Sequence, residues 1–259
     1  MEKIPSIGAY HSMVEPFHCD ISKHLFLSNL GNHLLNAADK HSTERGYGMN
    51  FLHTIQRTWV LSRLAIEMEE MPSLYDSLTI ETWINSVMRF FTSRNFKIIG
   101  EKGKVLGHGK SIWAMINTEN RQPVDILSMQ DGTIKEYIDA EYACPIDAAS
   151  RVIIQEVGEL KAQLHVAYHD IDMNGHFNSI KYIEHALNLW STDWHQTHFV
   201  KRMEVAYVAE AHQGDVLYFY QHQQLSEAEI KSYSVKITKR TENEEETEVC
   251  RINFKFATK

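Results

Sequence analysis

The 259-residue sequence predicts an α+β protein in which one helix-on-sheet unit is used twice. Three observations carry that reading. Segments in both halves alternate apolar and polar residues across short connections, which suits antiparallel sheet and leaves no room for crossover helices. Each half also holds one helix with a single apolar stripe. Finally, Leu64, Ile66, Met68, Asp76 and Leu78 each stand 139 positions before Met203, Val205, Tyr207, Asp215 and Leu217, so the two halves match in register.

In the first half, Leu30, Leu34, Leu35 and Ala38 fall at helical spacing and form one stripe. Residues 78–84 alternate, with Leu78, Ile80, Thr82 and Ile84 on one face and Thr79, Glu81 and Trp83 on the other. Residues 89–99 read as the next strand, GEKGK at 100–104 as a hairpin turn, and 105–116 as a third strand. The stretch 123–150 has two prolines, several turn formers and no sustained period, which predicts a linker with at most a short helix. The expected division is therefore an N-terminal unit over 1–122, a linker over 123–150 and a C-terminal unit over 151–259.

In the second half, LHVAYH (164–169) reads as strand. A helix starts near residue 179, where Ile180, Ile183, Leu187 and Trp190 make the stripe. Asn178 is its expected N-cap, and Phe177 can staple onto Tyr182. Residues 215–224 and 232–238 read as strands, and the acidic run at 241–248 as a solvated turn. In VCRINFKF (249–256), Cys250, Ile252, Phe254 and Phe256 share one face.

Composition narrows the function. An apolar fraction of 43% and a charged fraction of 23% are globular values, which excludes a disordered or fibrous chain. A net charge of −8 argues against a dispersed nucleic-acid footprint. Cys19, Cys144 and Cys250 are widely spaced and odd in number, so neither a disulfide framework nor a cysteine zinc site is expected. The first twenty residues lack the apolar core of a signal peptide, and no stretch is long and apolar enough for a membrane span, so a cytoplasmic protein is expected. Fifteen histidines invite a metal reading. But H-E-x-x-H is absent, and His165 and His169 lie four apart on an expected strand, where that spacing separates them. No metal and no cofactor are expected.

The densest polar cluster is DIDMNGHFN (170–178). Asp172, Asn174 and His176 recur every second residue, a spacing that places them on one face of an extended segment just before a helix N-terminus. Such an end offers open N–H groups and a positive dipole, which suit an oxyanion. The same residues also make an ordinary polar loop.

DIDMNGHFNSIKYIEHAL (170–187) resembles the C-terminal motif of the acyl-acyl carrier protein thioesterases, the plant and bacterial family that ends fatty-acid synthesis. WVLSRLAIEMEEMPSLYDSLTIETW (59–83) and MEVAYVAEAHQGD (203–215) are similar to two further stretches of that family, in the same order. The resemblance implies two tandem hotdog folds, each an antiparallel sheet wrapped around a central helix. It implies hydrolysis of fatty acyl-acyl carrier protein, with a phosphopantetheine-linked acyl chain as substrate and the acidic carrier protein as partner. The family's Asp, Asn, His and strand Glu fall on Asp172, Asn174, His176 and Glu210, which are therefore the expected catalytic residues. The neighbouring Cys of the family is Ala211 here. That departure favours a carboxylate mechanism, with Glu210 either activating water alongside His176 or attacking the thioester itself.

Aligning Asp20 with Asp170 puts Ser22, His24 and Phe26 at the places of Asp172, Asn174 and His176, and the 139 offset puts Met71 at the place of Glu210. On that alignment the first half keeps none of the four, so one catalytic site per chain is expected, with the first half supplying the acyl pocket. Lys181, Lys201 and Arg202 are candidate docking cations for the carrier protein, and Tyr218, Phe219 and Tyr220 either line an acyl tunnel or belong to the core. The rival readings are an acyl-CoA thioesterase on the same scaffold and a non-catalytic acyl-binding module. The sequence leaves open whether the protein is a monomer or a homodimer.

Overall fold

The computed structural model describes residues 4–224, 229–240 and 245–259. The chain divides into two compact units, Met1–Ala149 and Ser150–Lys259. The first unit contains β1 (Gly8–Met13), α1 (Leu27–Glu44), α2 (Met49–Thr54), β2 (Arg57–Met68), β3 (Ser77–Val87), β4 (Phe91–Ile99) and β5 (Val105–Asn117). Its strands lie in the order β1-β3-β4-β5-β2, with every neighbouring pair antiparallel. The second unit contains β6 (Glu159–His165), α3 (Ser179–Leu187), α4 (Thr192–Thr197), β7 (His198–Tyr207), β8 (Val216–Gln223), β9 (Ile230–Arg240) and β10 (Glu246–Thr258). Its order is β6-β8-β9-β10-β7, again antiparallel throughout. Position for position this is the order of the first unit, as the 139-residue repeat leads one to expect.

In the first unit α1 lies against β3. Leu30, Leu34 and Ala38 are buried, whereas Leu35 is only half-buried, and Ala37 and His41 complete the inward face. Helix and sheet approach closely at Gly109 of β5, where a Cβ would lie 3.2 Å from the Phe96 ring and 3.4 Å from Leu34 Cδ1. His41 is fully buried with Nε2 2.8 Å from the Ser6 carbonyl. Burial, together with the charge of Arg94, pushes its pKa down to about 2 and keeps the ring neutral.

The β3 face formed by Leu78, Ile80, Thr82 and Ile84 is buried as expected, and Trp83 on the opposite face is buried too. The cover on that side includes Tyr142, whose ring centroid lies 4.7 Å from that of Trp83. Residues 123–149 thus pack onto the first unit. Ile126, Met129 and Ile134, in an irregular 3₁₀ stretch, form one apolar cluster with Tyr47, Leu52, Ile84 and Met115.

In the second unit the expected face of β10 is buried in full, with Cys250, Ile252, Phe254 and Phe256 all at 0% exposure. Phe219 of β8 belongs to the same core, while Tyr218 and Tyr220 beside it are half-buried. The acidic run differs from expectation. Glu246, Thr247 and Glu248 lie inside β10 opposite Arg240, Lys239 and Thr238, where the facing cations make a strand tolerable. Glu245 precedes the strand and is exposed, and 241–244 lies outside the described residues. LHVAYH also departs from a strand: β6 ends at His165, and Tyr168–Asp170 is a 3₁₀ turn held by the Asp170 carboxylate on the Ala167 N–H. Among the described residues, no helix is long and apolar enough to cross a membrane.

Phe254 lies with its ring 5.4 Å from Trp190 and 5.9 Å from Phe256. Truncating so large a buried side chain leaves a cavity that strands cannot close. Phe254→Ala is expected to destabilise the protein by about 3–5 kcal/mol in denaturant unfolding.

Candidate active site

The loop between β6 and α3 is folded by its own carboxylates. Asp172 Oδ1 accepts the backbone N–H groups of Asn174 (2.8 Å) and His176 (3.2 Å), and the Asp172 N–H in turn donates to the His176 carbonyl at 2.8 Å. Gly175 closes this turn at φ +81°, a conformation that costs glycine little. The segment is therefore a tight turn rather than an extended strand. Asp172 and His176 are half-buried in this turn, and Asn174 is exposed.

Two backbone bonds dock the turn. The Phe177 N–H donates to the Ala211 carbonyl at 2.7 Å, and the Asn178 N–H to the Asp170 carbonyl at 2.8 Å. The first bond brings His176 beside Glu210, which lies 34 residues downstream in the segment after β7. His176 Nε2 is 3.3 Å from Glu210 Oε2, with the two side chains 26% and 38% exposed, so the pair is reachable by water. Of the four expected residues, the structure brings these two together and leaves Asp172 bound to the backbone.

α3 begins as its sequence predicts. Asn178 caps it through the Ile180 N–H at 2.8 Å, and the Phe177 ring packs edge-on against Tyr182 with centroids 4.4 Å apart. The cap occupies the Ile180 N–H and the Asn178 carbonyl takes that of Lys181, so fewer donors stay open at this end than a bare helix would offer. Tyr207 at the end of β7 donates to the Ser179 carbonyl at 2.8 Å and fixes the helix start to the sheet. Burial raises this phenol well above its ordinary pKa, so it stays a neutral donor.

Beneath the turn, Asp170 Oδ2 accepts the Ala167 N–H (3.0 Å) and Oδ1 meets His185 Nε2 of α3 at 2.9 Å. Burial pushes the Asp170 carboxyl up, but the Ala167 N–H, the bond and charge of His185 and the charge of Lys181 outweigh it and leave the group below its ordinary value. Sequence patterning did not single out this pair, although the fifteen-residue separation spans the whole loop. His212 is a second addition. Its ring meets that of His176 edge-on at 5.2 Å, and its backbone N–H is held by Asp215 Oδ2 at 2.9 Å.

No thiol competes with this pair. Ala211 is buried in the place of the expected Cys, and burial pushes the Cys250 and Cys144 thiols up, away from thiolate character. Of the candidate docking cations, Arg202 is buried in an ion pair with Glu204 (2.9 Å), and Lys181 pairs with Glu184 at 2.6 Å.

The first unit repeats the frame with different side chains. Asp20 Oδ1 accepts the N–H groups of Ser22 (2.8 Å) and His24 (3.0 Å), and the Leu25 N–H donates to the Pro72 carbonyl at 2.9 Å. The matching offset is 152, with Asp20, Ser22 and His24 standing where Asp172, Asn174 and His176 do; the expected alignment was out by two residues. The first half thus keeps an Asp and a His of the set. It lacks the carboxylate, since Met71 precedes Pro72 as Glu210 precedes Ala211.

A model of the acyl-ACP thioesterase N-terminal domain matches residues 11–137, and one of the C-terminal domain matches 155–257. An acyl-ACP thioesterase structure from Bacteroides thetaiotaomicron is 41% identical, covers 97% of this chain and 98% of its own, and superposes with a TM-score of 0.87. The 12:0-ACP thioesterase of Umbellularia californica, 18% identical, shares the fold at a TM-score of 0.83 over 98% of this chain and 95% of its own. Both units are accordingly hotdog folds. The chloroplastic oleoyl-acyl carrier protein thioesterase 2 of Arabidopsis thaliana is 27% identical over 79% of this chain, which spans 60% of that relative's length. The chloroplastic dodecanoyl-[acyl-carrier-protein] hydrolase of Cinnamomum camphora is 25% identical over 72% of this chain and 51% of its own.

The depressed pKa of Asp170 makes its contribution a pH-dependent one. A carboxyl whose folded value lies below its unfolded one stabilises the protein above its ordinary pKa of 3.8, and that stability is lost as pH falls through the lower folded value. Urea midpoints of Asp170→Asn are expected to fall below wild type at pH 6 and to converge with it in acid.

Proposed function

The chain belongs to the acyl-ACP thioesterase family, and on that premise we propose that it hydrolyses the thioester of fatty acyl-acyl carrier protein and releases free fatty acid. The observation that carries the proposal is the water-reachable contact of 3.3 Å between His176 Nε2 and Glu210 Oε2. In this reading Glu210 takes a proton from water as the oxygen adds to the thioester carbonyl. Glu210 passes that proton to His176 across their contact, and as the C–S bond breaks His176 delivers it to the departing phosphopantetheine thiolate, which returns both groups to their starting forms. Asn174, at the exposed edge of the turn, orients the carbonyl. Asp172 is a positioning residue that acts through the backbone N–H groups of Asn174 and His176. The buried alanine at 211 and the raised thiols leave a carboxylate, not a cysteine, as the activating group.

The division of labour follows from the second unit holding the carboxylate: residues 151–259 are the catalytic hotdog, and the hotdog within 1–122, with Met71 in place of Glu210, contributes the acyl pocket, the two being joined through 123–150. The partner is acyl carrier protein bearing a phosphopantetheine-linked chain. Against a net charge of −8, its acidic surface is met locally by Lys181 and Lys201 rather than by the buried Arg202. The free thiols of Cys19, Cys144 and Cys250 fit a reducing cytoplasm.

Glu210→Ala and His176→Ala are each expected to lower kcat on acyl-acyl carrier protein by about 10²–10⁴. Losses below about threefold in either variant remove these residues from catalysis. At equal chain length, kcat/KM is expected to favour the carrier-protein thioester over the CoA thioester, and a clear CoA preference overturns the assignment of substrate.

A further inference from the structure

His212 adds a third donor to the His176–Glu210 pair. One ring nitrogen of each histidine and one carboxylate oxygen of Glu210 all lie within 4.8 Å of one another. Imidazole nitrogen and carboxylate oxygen bind Zn²⁺ at about 2.0–2.2 Å, so two ligands of a tetrahedral ion stand about 3.4 Å apart. The His176–Glu210 edge, at 3.3 Å, has that length already. The remaining edges need to close by at most about 1.4 Å, within reach of ring and carboxylate rotation. We propose that His176, Glu210 and His212 form a binding site for a divalent transition-metal ion of the zinc class, and that its occupancy shuts off hydrolysis.

The donor set argues for that class of ion. Two imidazoles and one carboxylate suit Zn²⁺, Co²⁺ or Ni²⁺, whereas Mg²⁺ and Ca²⁺ prefer oxygen ligands throughout. The backbone around the ligands is held before any ion arrives. Asp172 and the Phe177–Ala211 bond fix His176, that same bond fixes the residue next to Glu210, and Asp215 fixes the N–H of His212. His212 is exposed, which leaves a side open to solvent for the ion's entry and its fourth ligand.

The first unit serves as an internal control. Its turn is docked by the same hydrogen bonds, and Ser73 donates its N–H to Asp76 Oδ2 at 2.8 Å as His212 does to Asp215. There the three positions are His24, Met71 and Ser73. The backbone frame therefore does not require ligand-type side chains, and only the second unit carries all three. Spacing along the chain could not reveal this set, because His176 stands 36 residues before His212.

A bound cation would engage the His176 nitrogen and the Glu210 carboxylate and withdraw both from proton transfer. This inhibitory consequence rests on the hydrolytic reading above; binding of the metal does not.

The test uses the full chain, stripped with EDTA, as wild type and as His212→Ala. Zn²⁺ affinity is measured by calorimetry, Co²⁺ coordination by visible absorption, and acyl-acyl carrier protein hydrolysis over a Zn²⁺ series. Wild type is expected to show tetrahedral Co²⁺ bands and to be inhibited by Zn²⁺. His212→Ala is expected to lose the bands and to need at least about tenfold more Zn²⁺ for both binding and inhibition, the least that losing a direct ligand costs. Inhibition is read for each protein relative to its own metal-free rate. His212→Gln, checked by circular dichroism, serves as the second variant should the alanine form misfold. Equal Zn²⁺ affinity in wild type and either variant overturns the site. Should Zn²⁺ bind through His212 while hydrolysis continues, the metal site stands and the catalytic reading of the pair falls. Should Glu210→Ala abolish hydrolysis without weakening Zn²⁺ binding, the metal site falls and the catalytic reading stands.

Discussion

One backbone hydrogen bond, from the Phe177 N–H to the Ala211 carbonyl, organises the candidate site. It joins the loop that precedes α3 to the segment that leaves β7, and so sets His176 beside Glu210 across 34 residues of chain. The cap on α3, the Tyr207 bond to the Ser179 carbonyl and the edge-on packing of Phe177 on Tyr182 hold the two ends of that bond in place. Because backbone N–H and C=O groups must be satisfied when buried, the bond is a structural obligation of the fold before it is a feature of the site. The first unit makes the same bond between Leu25 and Pro72.

The carboxylates around it divide into two kinds. Asp172, Asp170 and Asp215 bind backbone N–H groups, and Asp170 also binds His185. They shape loops. Glu210 instead faces His176 at 3.3 Å and keeps 38% of its side chain exposed. The partners of Asp170 hold its carboxyl below its ordinary value and make it a poor base, whereas a carboxylate that faces an imidazole and water can exchange protons. The histidines divide likewise: His41 is buried and neutral in the first core, His185 pairs with Asp170, and His176 meets Glu210.

Duplication explains how one chain acquires two frames with different contents. The turn that docks before the helix depends on Asp20 in one unit and Asp172 in the other, so selection for the fold alone accounts for both aspartates. The counterpart of Glu210 is Met71, so the first unit docks its turn without a carboxylate at that position.

What the sequence determined by itself were the features set by local period and local capping. Alternation located the strands around Leu78 and Phe254, helical spacing located α1 and α3, and Asn178 with Phe177 marked where α3 begins. These signals arise from neighbours within a turn or a strand pair, so they are written in consecutive residues. Motif resemblance supplied Glu210. Only the tertiary structure decided the rest. The every-second-residue spacing of Asp172, Asn174 and His176 looked like a shared strand face, yet side-chain bonds to the backbone coil it into a turn, because a short carboxylate can outcompete the ladder for nearby N–H groups. The offset of 152 rather than 150 between the two loops, the covering of Trp83 by Tyr142, and the meeting of His176, Glu210 and His212 all depend on contacts between distant segments. Packing and long-range hydrogen bonding create those contacts, and no local pattern encodes them.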